Sequence, residues 1–304
     1  MEALPEPRQR ASFNTHTFFF GRYYLLNVLG YGLATIAVLR WNHLFETTSP
    51  WWLFGLVPLF LTRFRYIIAG AAVLILLTLW HYRMEMSWGL AILCIAAIYL
   101  GHLSAVFIHN AAHLNFRPLW LNGVIGEACA LQQLSAGLVV WRFFHAHHHA
   151  FPDDPERDPH PPKGYTFWQF IDVARLLIAR RLEGLYLKNW GDTAETRKRW
   201  KQQNLLLLLS RFAKTLFVFS LLGPKYFALA FVPSYISNVL CLAAFNYFTH
   251  QEQPEGTVEA RNLRGSPYFD FCNRFLFGVY YHKNHHRNPR AFNPMSVDAD
   301  PRVA

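Results

Sequence analysis

The chain has 304 residues, of which 53% are apolar, 17% aromatic and only 16% charged, against roughly 25% charged residues in typical soluble domains. Such a sequence cannot clothe itself in charge, which points to lipid as part of its solvent and excludes disorder and collagen; four scattered cysteines also exclude a disulfide scaffold. The excess of 29 Lys+Arg over 19 Asp+Glu, a net charge of +10, suits anionic lipid headgroups rather than nucleic acid.

The N-terminal residues, with Glu2, Pro5, Glu6 and Pro7 and no A-x-A site after an apolar run, do not read as a cleavable signal peptide. A membrane-crossing helix needs about 20 mostly apolar residues, with about 17 as the lower limit. Tyr23–Leu39 is uncharged and bounded by Arg22 and Arg40, so it meets that limit. Trp51–Thr62 is apolar but short, which predicts a tilted, re-entrant or interfacial piece. Tyr66–Tyr82 is a further candidate and Met86–Ile108 a clear span. Asn204–Leu222 is interrupted by Arg211 and Lys214, whose charges are expected to snorkel toward headgroups. Gly223-Pro224-Lys225 then predicts a turn, and the uncharged stretch Tyr226–Gln251 returns. Cys94, Cys129, Cys241 and Cys272 form no CxxC pair and read as core thiols.

Eleven Lys or Arg lie between residues 141 and 201, and the positive-inside rule puts that region in the cytoplasm. The two late spans leave that side and re-enter it, so residues 109–200 and 250–304 are expected on one face. Phe167, Phe170, Ile171, Ala174, Ile178, Leu182 and Leu185 recur at helical spacing, with Arg175, Arg180 and Arg181 between them. This pattern predicts a helix lying on the membrane surface, with packing inside a cytoplasmic cap as the alternative. The expected fold is an all-α membrane protein with four or more transmembrane helices and a cytoplasmic helical cap. It is read as one integral-membrane domain over residues 1–304, with a tail and weaker apolar segments over 1–85.

Fifteen histidines are present, and most are clustered on the expected cytoplasmic face. His109 and His113 stand at i and i+4; His145, His148 and His149 stand at i, i+3 and i+4, and His282, His285 and His286 repeat that spacing. Such pairs share a helix face and can reach a common metal ion. Eight imidazoles exceed the four to six ligands of one metal, so two ions are the natural count. Imidazole serves iron, zinc, copper or nickel, and spacing alone does not choose among them. A metal transporter is the reading from a different class, but it calls for ionisable ligands in mid-membrane.

The chain resembles the membrane fatty acid desaturase and hydroxylase superfamily of non-haem di-iron enzymes. The resemblance rests on HxxxH at 109–113, HxxHH at 145–149, HxxHH at 282–286, and two apolar spans between the second and third boxes. A further match is Asn246-Tyr-Phe-Thr-His250. It covers roughly residues 86–290. It implies that His109, His113, His145, His148, His149, His250, His282, His285 and His286 bind two irons, with Asn246 a water-mediated or weak ligand. His147 is expected to point away, solvated or behind the ligands. Asp154, Glu156 and Asp158 are candidates to hold ligand ring nitrogens, and the acidic segment is followed by His160. His16, His43, His81 and His102 read as interfacial or packed.

The implied reaction is oxygen-dependent desaturation of a fatty acyl or lipid chain. Hydroxylase, ketolase and terminal-alkene-forming chemistry on fatty acids, alkanes or carotenoids are the alternatives. Arg142, Lys283, Arg287 and Arg290 are candidates to hold an anionic headgroup. No haem-binding HPGG, iron–sulfur cysteine pattern or flavin fingerprint occurs, so electrons are expected from a separate ferredoxin, rubredoxin or cytochrome.

Overall fold

A computed structural model describes residues 20–42, 50–85, 87–154, 157–159, 164–252 and 258–299. In chain order, α1 (Gly21–Asn42) is followed by a 3-10 segment (Pro50–Phe60), α2 (Phe64–His81) and α3 (Trp88–Ala112). Next come the shorter α4 (Leu121–Gln132) and α5 (Leu138–Ala150), then α6 (Phe167–Trp190) and α7 (Ala194–Tyr226). A π-helical segment (Phe227–Phe231) leads into α8 (Val232–Thr249). The strands β1 (His250–Glu252) and β2 (Val258–Ala260) form a two-stranded antiparallel ribbon, and α9 (Pro267–Phe275), α10 (His282–Arg287) and a 3-10 turn (Pro294–Ala299) complete the described chain.

Among the described residues, four helical tracts are long and apolar enough to cross a membrane: α1, α2, α3 and a 56-residue tract over Ala194–Thr249. The last is broken at Gly223, whose φ of 68° is outside the helical region and open to glycine at little cost. It therefore holds the two late apolar stretches of the sequence on either side of the expected turn. Beyond the break the two halves take different neighbours, α7 lying chiefly along α1 and α8 along α3. Leu25, Leu29 and Leu33 on α1 and Ile92 and Ile95 on α3 are exposed, as lipid-facing residues are expected to be.

The helix starts are written in local chemistry. Ser87 caps α3 by accepting from the Leu90 N–H (3.3 Å), and Thr166 and Thr193 form capping boxes at α6 and α7. Pro50–Phe60, too short to span, lays Leu56 and Leu59 into the core beside α2.

Two expectations are corrected. The apolar stripe of α6 does not lie on lipid: Phe170 and Ile171 are buried with Phe231 and Tyr235 in the core that α2, α7 and α8 share. Those neighbours offer an apolar surface, so the stripe packs inward. Nor does Lys214 snorkel. It is fully buried, with Nζ donating to the Ser135 carbonyl (3.3 Å), while Arg211 donates to the carbonyls of Leu134 (3.1 Å) and Leu59 (3.2 Å). Chain segments just past helix ends carry carbonyls without an intrahelical donor, and these cations supply one.

The approach of α3 to α8 is fixed at Gly101. A Cβ there would overlap the Ser234 carbonyl oxygen and lie 3.0 Å from the Ser237 Cβ. Asn238 donates to the Gly101 carbonyl (3.0 Å) across the same contact. Gly101→Leu is expected to destabilise the protein by about 1–3 kcal/mol or more through overpacking. Gly123→Ala, in helix α4 with nothing within 4 Å, is expected to keep or slightly raise the thermal unfolding temperature in detergent.

Candidate metal centre

Four pieces of chain converge on one buried locus. His109 lies in the last turn of α3 and His113 at its C-terminal cap. His145, His148 and His149 lie in the last turns of α5. His250 opens β1, and His282, His285 and His286 lie on α10. With six residues α10 has too few turns to hold itself. Buried Asn284 anchors it, donating to the Pro294 carbonyl (3.1 Å), while the Asn262 amide donates to the Asn284 side-chain oxygen (2.8 Å).

The nine histidines divide into two groups, each able to hold a metal ion. One comprises His109, His113, His145, His149 and His285; the other comprises His148, His250, His282 and His286. Within each group the ligand atoms all lie within 4.8 Å of one another. In the first, Nε2–Nε2 distances are 2.7 Å for His109–His285, 2.8 Å for His113–His145 and 2.9 Å for His149–His285. In the second they are 2.7 Å for His250–His282 and 3.0 Å for His282–His286. Both HxxHH boxes straddle the groups. The i,i+4 pair turns to one ion position and the remaining histidine to the other, as about 100° per residue requires. The groups abut, with the His149 and His286 rings 4.5 Å apart.

The donor set fits metal ions. Nitrogens about 2.0–2.1 Å from a metal stand up to about 4 Å apart, the scale of these groups. His148 Nδ1 is 2.8 Å from Asp158 Oδ2, and His250 Nδ1 is 2.7 Å from Asp153 Oδ2. A proton held between Nδ1 and carboxylate leaves Nε2 as a lone pair directed at the group, the usual support behind a ligating histidine. Asp158 is itself fixed by the Asp153 N–H (2.7 Å). Trp141 packs 4.5 Å from the His145 ring and Phe245 4.4 Å from the His282 ring, so aromatic walls shield the nitrogens from water.

Burial keeps the imidazoles neutral. It holds His145, His149, His282 and His285 well below the usual histidine range, and the neighbouring imidazoles add to the effect. Burial lowers His113 to about 4, helped by Arg142, and His286 to about 2. At His250 burial also lowers the pKa, although the Asp153 hydrogen bond opposes it. Below the ordinary value of 6.5 the unfolded chain takes up protons that the folded cluster refuses. Metal-free protein is therefore expected to keep full stability above about pH 6.5 and to lose it progressively toward about pH 4. Thermal unfolding across that range checks this; a melting temperature that rises on acidification would contradict it.

Nine of the sequence-derived residues thus come together. Asn246 is buried nearby, in the wall of a cavity of about 510 Å³ that His109, His145, His148 and His282 also line. The rest of that wall is largely apolar, from Phe170, Ile178, Leu182, Leu207 and Leu242 among others. His147 packs between Phe143 and Phe151, half-buried rather than solvated. His102 Nδ1 meets the Ile98 carbonyl (3.0 Å) and Ser237 Oγ (2.6 Å) as a packed residue, and His81 sits against Trp52. His16, His43, His160 and Glu156 lie outside the described residues.

Of the carboxylate candidates Asp158 is in place, whereas Asp154 receives the Arg157 N–H (2.9 Å). Asp153, beside it in sequence, is the partner of His250 although no sequence signal sets it apart from Asp154; only the fold of the loop distinguishes the two. Arg142, Lys283, Arg287 and Arg290 are exposed. The cations in the cavity wall are instead Arg175 and Arg211.

The sequence model of a family described as Fatty acid desaturase matches residues 86–293, well over half of the chain, and that range contains all nine histidines and Asn246. No curated protein and no solved structure matches the chain.

Proposed function

Since this chain belongs to the fatty acid desaturase family, we propose that it is a membrane-bound, oxygen-dependent di-iron enzyme that desaturates a fatty acyl or lipid chain. The observation that carries this reading is the meeting of two histidine groups with a largely apolar cavity of about 510 Å³. That volume falls within the roughly 300–1,000 Å³ of small-molecule sites. The nine histidines and Asn246 would hold the metals. When bound, two irons would supply the oxygen-derived oxidising power needed to take hydrogen from an unactivated carbon.

The protein's own part is positional. Neutral imidazoles present lone pairs, Asp153 and Asp158 hold the ring protons behind two of them, and Trp141 and Phe245 exclude water. The cavity would set one methylene against the centre, where a shift near 1 Å changes the outcome. The eleven basic residues between 141 and 201 support an active site on the cytoplasmic face. They also suit an acidic donor of electrons, a ferredoxin, rubredoxin or cytochrome.

Mass spectrometry of lipids and hydrocarbons from cells expressing the chain tests the reaction. A loss of two hydrogens from a fatty chain, dependent on oxygen, is expected. Gain of one oxygen, or loss of carbon dioxide with formation of an alkene, would replace desaturation by hydroxylation or decarboxylation.

A further inference from the structure

Two arginines stand where an apolar substrate would leave them uncompensated. Arg175 on α6 and Arg211 on α7 both line the cavity that reaches the histidines. Arg211 is pinned by the carbonyls of Leu134 and Leu59 through Nε and Nη2, which leaves further N–H groups of its five. Arg175 donates through Nη2 to the Tyr235 hydroxyl, and its Nη1 is buried without a partner. Among the described residues neither arginine is paired with a carboxylate. Asp172, one turn before Arg175, is engaged by Arg63 (3.2 Å) and Arg65 (3.5 Å).

Two cations in an apolar wall are costly unless an anion joins them. In a membrane protein, a charged side chain facing a cavity marks a ligand path. Planar guanidinium groups match a two-oxygen anion through paired hydrogen bonds. A neutral hydrocarbon or carotenoid offers no such group, and a chain tied up as an ester or thioester has lost its carboxylate, its nearest anion being a carrier or headgroup phosphate several bonds beyond the acyl carbon.

We infer that the substrate is a free long-chain carboxylic acid whose carboxylate is held inside the cavity by Arg175 and Arg211. Its hydrocarbon tail lies along the apolar wall toward His109, His145, His148 and His282. This rests on the oxidase reading of the histidine centre and narrows its substrate: the acid end is recognised within the cavity, and the exposed Arg142, Lys283, Arg287 and Arg290 do not hold it.

The test is equilibrium binding of radiolabelled palmitate and of methyl palmitate to the purified full chain in lipid nanodiscs. Palmitate is expected to bind roughly ten- to hundredfold more tightly than its ester. Arg175→Gln and Arg211→Gln are each expected to lose palmitate affinity by a similar factor while binding the ester unchanged. Equal affinities for acid and ester, or glutamine variants that bind palmitate like the unaltered protein, would overturn the inference. If a variant does not fold, the comparison of acid with ester on the unaltered chain decides by itself. Arginine-dependent palmitate binding without any oxidised product would sink the oxidase reading and leave this one standing. Oxidised ester-linked chains with no preference for the acid would do the reverse.

Discussion

His285→Ala is expected to abolish turnover while leaving membrane insertion and helix content intact. Its Nε2 lies 2.7 Å from that of His109 and 2.9 Å from that of His149, so it ties α10 to both α3 and α5. Without it the five-histidine group loses the one member drawn from α10, although the four-histidine group keeps its full set. His148→Ala should do the converse, stripping the four-histidine group and sparing the other. Each variant is thus expected to hold metal more weakly at the altered group, His148→Ala, which leaves three histidines there, more so than His285→Ala, which leaves four. Both are expected to show only background activity, because the proposed oxidation would use both ions. His147→Ala, one residue from His148 but packed between Phe143 and Phe151, should keep both metal and activity. Full activity in either ligand variant would remove the histidine groups from the chemistry.

Asp158→Asn carries the next largest effect. The carboxylate is fully buried, meets His148 Nδ1 and accepts the Asp153 N–H. An amide in its place provides a poorer acceptor and a group that must itself be satisfied, so His148 loses its fixed tautomer and orientation. Loss of such a partner typically costs about 10–100-fold in metal affinity. Asp153→Asn should act in the same way through His250, whereas Asp154→Asn should have little effect because that side chain serves the Arg157 turn. Competition against a chelator measures all three. Equal losses at Asp153, Asp154 and Asp158 would indicate a general acidic field in place of two specific hydrogen bonds.

Much of this architecture is legible in the sequence because its signals are local. Uncharged runs of about 20 residues announce spans whatever surrounds them, and the apolar stretches locate α1, α2 and α3 to within a few residues, although Arg22, Arg40 and Arg65 fall inside the helices they were expected to bound. The histidine boxes are legible for the same reason, since i,i+3 and i,i+4 spacing fixes which side chains share a helix face. What the spacing does not contain is which helices share each ion position, which depends on how α3, α5 and α10 meet. Asp153 and Asp154 are chemically identical neighbours, and only the turn of the loop assigns one to His250. The arginines illustrate the same limit. Arg175 reads as the polar face of an amphipathic helix and Arg211 as a snorkelling charge, because each is local evidence about a single helix. Only when α6 and α7 flank a common cavity do the two become a pair. Lys214 likewise looks bound for the headgroups until the free carbonyl of Ser135 meets it inside the fold.

Elemental analysis of the purified full chain, combined with spectroscopy of magnetic coupling between metal ions, bears most directly on the paired centre. Two irons per chain, magnetically coupled and both lost as acid unfolds the cluster, are expected. A single metal per chain, or two uncoupled ions that survive replacement of both His148 and His285, would contradict a dinuclear centre built from these nine histidines.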